Sequence, residues 1–374
     1  MLVISLFKFK QLTNKGKKMK TIMKILFVAI SSFAVLTSAN AGEMTVSGSA
    51  KASWSNISDN QSGKGIGIAN ELTIGANGAM DNGYTWTVAI ALDPTTSGST
   101  ASTVPADETA AGSAINDDTS MTVTAPGLGT LGLHVSAGGF NAKYGWSSDA
   151  YAVMSDTGAS EGATYSSDLG GTSNIQFATA ADLLPFGTVL QVGYGYGKKD
   201  GQSLNTTGVA ASDSKTAYGI TTKPIDGLTI GATYTKDGMY GDGAKHSQEA
   251  ESGAFYGKYA IGAITVGYGK SFSAPTLAVL TDAGASTVEY YENTGYSVGY
   301  ALNDAVRVSY TREKNEANYK TSATVGYDIE QDSYQIAYNI GGATLSLVRH
   351  ETENAGYVNN ADRSETLIGL AMAF

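Results

Sequence analysis

The sequence predicts an all-β chain closed into a single transmembrane antiparallel up-and-down β-barrel of 16 strands, with 18 as the alternative. Three observations carry that expectation. Apolar and polar residues alternate strictly over runs of 8 to 11 residues, tight turns alternate with long polar connections, and the apolar row is rich in Tyr and Trp. Period two belongs to a strand with one apolar and one polar or small face. Composition agrees: 374 residues include 46 glycines and 22 tyrosines, with only 16% charged, too few charges for a disordered acidic chain. The absence of cysteine removes disulfide scaffolds, thiol catalysis and zinc–thiolate sites together.

The first element is not part of the barrel. Residues 19–41 combine a basic start (Lys20, Lys24), an apolar run from Ile25 to Leu36, and Ala39-Asn40-Ala41, the small-x-small pattern of a secretory signal peptide cut after Ala41. The apolar run falls short of the roughly 20 residues a spanning helix needs. Met19 is the expected start, with Met1 as the alternative. The expected organisation is therefore 1–41 removed and 42–374 as the barrel. All 7 lysines before Gly42 lie in a stretch without Asp or Glu. Taking them from 24 basic groups leaves 17 against 34 acidic, so the chain's −10 becomes −17 for the barrel. A nucleic-acid partner is excluded, because phosphate neutralisation needs clustered Lys and Arg.

Seventeen segments carry the strand pattern: 43–55, 68–79, 83–92, 119–125, 130–137, 162–168, 173–180, 187–197, 215–223, 228–236, 253–261, 264–272, 288–301, 305–313, 332–340, 343–352 and 363–374. In 83–92, Trp86, Val88 and Ile90 alternate with Thr85, Thr87 and Ala89; in 332–340, Tyr334, Ile336 and Tyr338 alternate with Ser333, Gln335 and Ala337. Turn signals separate them: Asp81-Asn82-Gly83, Pro126-Gly127-Leu128-Gly129, Pro224-Ile225-Asp226-Gly227, Ile261-Gly262-Ala263, Asn303-Asp304 and Gly341-Gly342. Longer polar stretches intervene near 93–118, 138–161, 198–214, 237–252, 273–287, 314–331 and 353–362. A single-chain barrel with both ends on one side needs an even strand count. The phase of long and short connections breaks between 162 and 197, so one strand assignment there is wrong, and 16 strands are expected with 18 as the alternative.

The apolar row carries Trp54, Tyr84, Trp86, Tyr234, Tyr268, Tyr300 and Tyr338, often near strand ends, as aromatic girdles at a membrane interface require. The opposite row of Gly, Ser, Thr and Asn suits a wet interior. A secreted β-sandwich or β-helix is the alternative, and no short repeat supports the latter.

The last strand is more specific. Ile368, Leu370, Met372 and Phe374 share one face and Gly369 and Ala371 the other. Gly369-x-x-Met372-x-Phe374 resembles the C-terminal signal read by the outer-membrane barrel assembly machinery, departing from it at Ile368, where a polar residue is usual. Together with the Gly42–Gly48 start, it makes the chain similar to Gram-negative general-diffusion porins of the alphaproteobacterial kind, over the whole of 42–374. The resemblance implies an outer-membrane homotrimer surrounded by lipid and lipopolysaccharide, passive diffusion of small hydrophilic solutes, and no cofactor. It also implies a long third loop folded into the pore, with carboxylates facing basic residues on the wall.

Segment 138–161 occupies that loop's place and contains Lys143, Trp146, Asp149, Asp156 and Glu161. Asp149, Asp156 and Glu161 are the candidates for the acidic side; an exposed loop with solvated carboxylates is the alternative. On the wall, parity opposite to Val306, Val308 and Tyr310 turns Arg307 inward, and parity opposite to Val46 and Trp54 does the same for Lys51. Arg349 shares parity with Leu345 and Leu347, which puts it at an interface rim. The barrel has only 4 arginines (Arg307, Arg312, Arg349, Arg363), unlike the arginine-rich constriction of many relatives. The net field of −17 predicts weak cation selectivity.

No enzyme is expected. His134-x-Ser136 resembles the His-x-Ser pair of outer-membrane phospholipases, but its parity points into the lumen, away from lipid, a nucleophile also needs a group that orients its base, and two residues at such spacing arise easily by chance. His246 and His350 are isolated, Gly193-x-Gly195-x-Gly197 is strand alternation with Tyr194 and Tyr196, and Asp117-Asp118 and Asp237 to Asp242 read as solvated loop charge rather than calcium sites. Two rivals remain in function: a substrate-specific porin, marked by aromatics in the lumen, and a plugged structural or adhesin barrel.

Overall fold

The computed structural model describes residues 42–58, 63–92, 116–135, 137–140, 142–153, 162–169, 172–195, 214–237, 246–278, 287–320 and 326–374. The signal peptide expected at 1–41, Ser136, Asp156 and Glu161 lie outside the described residues.

The chain runs through β1 (Met44–Ser58), β2 (Gly63–Ala79), β3 (Thr85–Leu92), β4 (Asn116–Ala125), β5 (Gly129–Val135), β6 (Asn174–Thr179), β7 (Val189–Gly195), β8 (Lys215–Thr222) and β9 (Leu228–Asp237). It continues through β10 (His246–Gln248), β11 (Glu251–Ile261), β12 (Ile264–Ala274), β13 (Leu277–Ala278), β14 (Val288–Ala301), β15 (Val306–Tyr319), β16 (Ile329–Ile340), β17 (Ala343–Glu353) and β18 (Arg363–Ala373). Sixteen of them form one closed antiparallel barrel in chain order, and β10 pairs with β13 in a separate two-stranded sheet. Closure joins β1 to β18 from Ser49↔Ala373 to Ser58↔Ser364. Gly48 and Phe374 extend it by exchanging backbone hydrogen bonds of 2.8 and 3.0 Å. In hydrocarbon every backbone group must be paired within the protein, and a closed ladder does this with no edge left over.

Segment 162–168 is the one strand expectation the structure overturns: it is irregular chain inside the barrel. Removing it leaves sixteen and restores the alternation of short and long connections. Only Ala163 and Tyr165 give it a period of two, and its bonds run to side chains of the inner wall rather than to a neighbouring strand. Strand β15 runs to Tyr319, past the predicted 313, because both its faces turn polar there and hide the period. Inside lie Thr311, Glu313 and Asn315, all buried. Outside, Arg312 meets Asp332 at 3.0 Å and also Glu330, and Lys314 meets Glu316 at 2.7 Å and Asp328 at 2.8 Å.

Parity separates the two faces of the wall. Val266, Val298, Ile336, Leu347, Ile368 and Ile66 are exposed on the outside. Tyr268↔Tyr296 and Tyr310↔Tyr334 form a row above them, and Tyr300 and Tyr338 lie below. Two rings of that upper row, Tyr310 and Tyr334, stack at 5.3 Å. Arg349 shares this outer parity and donates to Thr366 at 3.0 Å. Tight turns follow their sequence signals. The Asn303 side chain accepts from Ala305 and Val306 N–H at 2.9 Å each, and Gly341 and Gly342 supply φ of +52° and +98° between β16 and β17.

Candidate functional site

The chain leaves the wall at Val135 and rejoins it at Asn174. The described residues between these points lie inside the barrel, because their partners are side chains of inward parity. Glycines make the room. A Cβ on Gly295 would sit 2.1 Å from the Trp146 ring, one on Gly269 2.2 Å from it, and one on Gly267 1.8 Å from the Trp146 carbonyl oxygen. Trp146 is 4% exposed, and its indole N–H donates to the Lys143 carbonyl at 2.8 Å. The alternating glycines of β12 and β14 are thus a socket for one large side chain.

Beyond Trp146 the loop crosses strand after strand. Ser148 N–H donates to Ser297 Oγ at 2.9 Å, Ala150 N–H to Ser309 Oγ at 2.8 Å, and Tyr151 and Ala152 N–H to Gln335 Oε1 at 3.0 and 3.2 Å. Gln335 Nε2 returns a bond to the Ala152 carbonyl at 2.7 Å. The returning arm is held as closely. Asn293 Nδ2 donates to Thr164 O at 2.9 Å, Tyr165 OH to Glu313 Oε2 at 2.8 Å, and Ser167 N–H to Ser252 Oγ at 3.1 Å. At the stem, Phe140 N–H donates to Asp168 Oδ2 at 3.0 Å, and the fully buried Leu169 lies over Gly193 of β7. The loop therefore covers the inner wall from β7 round to β18, where the Tyr151 ring meets Gly369. Opposite it, β1 to β5 present mostly Ser, Thr and Gly on the inward parity, among them Ser47, Ser49, Thr73, Thr87, Thr122 and Gly132, with Lys51, Glu71 and His134 on the same face.

Asp149 lies at the contact between loop and wall. Its Oδ2 accepts from Ser147 Oγ at 2.7 Å and its Oδ1 from the Thr311 hydroxyl. Burial raises its pKa from the ordinary carboxylate range, and the two hydroxyl bonds hold it down in part. Burial also raises the Tyr165 phenol well above its usual value, reinforced by the charge of Glu313.

Arg307 takes inward parity with Ser309, Thr311 and Glu313 and is exposed. Lys51 takes it with the buried Ser53 and Ser55. Lys258, which sequence reasoning missed, is a further wall cation, and Lys215 and Arg363 take the same inward parity on β8 and β18. Lys258 donates to the Ser147 carbonyl at 3.2 Å and stands close enough to Arg307 for the two charges to repel. Its signal was available: Phe255 and Tyr259 fix the outer parity of β11, so Lys258 falls inside. Lys143 sits with its ammonium 5.0 Å from the Tyr144 ring centroid and 5.8 Å from that of Tyr165. The loop aromatics Tyr144, Tyr151 and Tyr165 were also missed, because loop residues carry no parity; Tyr256 of β11 was missed although its inward parity, that of Lys258, was readable.

His134 has inward parity, beside Gly132 and Gly138. His350 is a buried inner-wall residue and Gly193 and Gly195 belong to β7. Among the described residues no three His, Cys, Asp or Glu side chains converge to hold a metal. Of the terminal signal, Gly369 faces in, while Met372 and Phe374 face out and are exposed.

No family model and no curated protein matches the chain by sequence. Solved structures match it over most of its length. It is similar to a loop-deletion form of OmpT, an outer membrane protein of Vibrio cholerae, at 13% identity and TM-score 0.61, covering 90% of this chain and 100% of that one. It is similar to Salmonella typhi OmpF at 13% identity and TM-score 0.63, over 89% and 98%. An anion-selective porin from Comamonas acidovorans matches at 11% identity and TM-score 0.61, over 89% and 100%. The fold is that of outer-membrane porins from several Gram-negative bacteria and does not single out the alphaproteobacterial kind.

Proposed function

We propose that this barrel is an outer-membrane porin, a water-filled channel through which small hydrophilic solutes and ions diffuse passively. The observation that carries the reading is the inner loop. It is fixed to one side of a closed barrel by side-chain tethers and narrows the lumen, while the opposite side keeps a Ser-, Thr- and Gly-lined wall. Such a passage sorts by size and modulates by fixed charge, with no cofactor and no bond-making. Export by the 1–41 signal peptide, insertion through the Gly369, Met372, Phe374 signal and assembly as a homotrimer among lipid and lipopolysaccharide belong to the same reading, as does the kinship with alphaproteobacterial general-diffusion porins.

In this reading Asp149 secures the loop, Asp156 and Glu161 supply the acidic side of the narrowest point, and Lys51, Lys258 and Arg307 supply the basic side. The −17 of residues 42–374 favours cations and the inward-facing cations temper that preference, so selectivity is weak. Single-channel conductance of the refolded barrel in the presence of neutral sugars of graded size tests the reading. A cut-off at small sugars is expected; a barrel without conductance is plugged and refutes it. The substrate-specific alternative gains support from Tyr144 and Tyr165, whose rings pack 5.3 Å apart in the loop.

A further inference from the structure

Beside the stem of the inner loop lies a hollow of about 420 Å³ between the returning arm and β9, lined by Lys143, Tyr165, Ser166, Ser167, Asp168 and Thr233. We infer that this hollow is a binding station for zwitterionic α-amino acids in transit, an inference that rests on the channel reading above and names its solute class.

The chemistry of the lining decides the class. Lys143 forms no ion pair among the described residues; its ammonium is positioned by the faces of two tyrosine rings. Buried Glu313 feels that charge but is itself engaged by the Tyr165 hydroxyl at 2.8 Å. Asp168 is held by the Phe140 N–H at 3.0 Å, which fixes a carboxylate on the same hollow. Ser166, Ser167 and Thr233 add three hydroxyls. One fixed cation, one fixed anion and several hydroxyls match a solute carrying a carboxylate, an ammonium and a small polar side chain. A simple carboxylate meets Asp168 with the wrong sign and a simple amine meets Lys143 likewise. A neutral polyol satisfies the hydroxyls and supplies a counter-charge to neither Lys143 nor Asp168. The volume is in the range of small-ligand sites. Lysine and aspartate at one hollow bind each half of a zwitterion by charge-assisted hydrogen bonds, and a single station of this strength retains a solute briefly and releases it, as conduction demands.

The test is block of single-channel current in planar bilayers by L-serine, with glycerol, propionate and ethanolamine as controls of similar size, each normalised to the open conductance of the same variant. Serine is expected to reduce the current saturably, and each control to do so far more weakly. Lys143→Gln and Asp168→Asn are each expected to raise the half-blocking concentration about tenfold or more, the loss of one charge-assisted hydrogen bond. Thr233→Val, which alters only the wall, is expected to raise it a few-fold even if a loop variant fails to fold. Serine blocking no better than glycerol, or propionate blocking as well as serine, overturns the inference while leaving an open channel and the channel reading intact. A native barrel with no conductance at all refutes the channel reading itself, and this inference with it.

Discussion

Replacing Trp146 with Ala empties the socket that docks the inner loop. A Trp side chain carries about 150–250 Å² of surface, and this one is 4% exposed. At about 25 cal/mol per Å² its burial contributes roughly 4–6 kcal/mol, an upper figure, and truncation of Trp in a packed site costs about 3–5 kcal/mol. The remaining tethers, such as Ser148–Ser297, Ala150–Ser309 and Asn293–Thr164, contribute only about 1 kcal/mol each. A loss near 4 kcal/mol raises the ratio of undocked to docked loop by roughly a thousandfold. The barrel ladder does not involve Trp146, so the variant should keep the heat-resistant compact migration of a folded barrel on a detergent gel. Its channels should be larger and noisier, and trypsin should cut after Lys143, which the docked loop protects. Gly295→Val attacks the same socket from the wall, since its Cβ would lie 2.1 Å from the indole ring. Native current traces together with native trypsin resistance in W146A would refute the view that this side chain docks the loop.

Two further outcomes follow from charge. The pKa of Asp149 is raised in the folded protein, so between its unfolded and folded values the docked loop binds more protons than the released one. Its contribution to docking is therefore fully present below the unfolded value and is lost as pH rises through the folded value. Current noise and trypsin cleavage at Lys143 should fall on acidification through that window, and Asp149→Asn, which still accepts from Thr311, should flatten the dependence; unchanged pH sensitivity in D149N would assign it to another group. Arg307→Glu reverses an exposed lumen charge beside Lys258 and should raise the cation-to-anion permeability ratio about twofold or more. A reversal potential under a salt gradient measures this, and an unmoved potential would take Arg307 out of the conducting path.

Much of the wall was legible because parity is a local property. Lys51, Arg307 and Arg349 each took the face that neighbouring Val, Trp and Leu residues dictated, and Phe374 meets Gly48 where a closing strand must end. Periodicity failed where both sides of the chain meet the same kind of surroundings. The outer half of β15 is polar on both faces, inside against the loop and outside in ion pairs, so its length was underestimated. Segment 162–168 imitated a strand through Ala163 and Tyr165 alone, two residues at period two in a loop that is held by wall side chains.

The sequence by itself determined the barrel, its strand number to within two, its outward apolar row and the identity of its inner loop, because alternation and turn chemistry act over a few residues. Its mean hydropathy of −0.10 is the average of two segregated rows. Only the tertiary structure decided what the loop does once inside. Trp146 finds Gly269 and Gly295 more than a hundred positions away, Asp149 turns to Thr311, and Lys143 and Asp168 come to share one hollow. Such pairings depend on how the closed wall curves back on the loop, and no local pattern in the chain encodes that curvature.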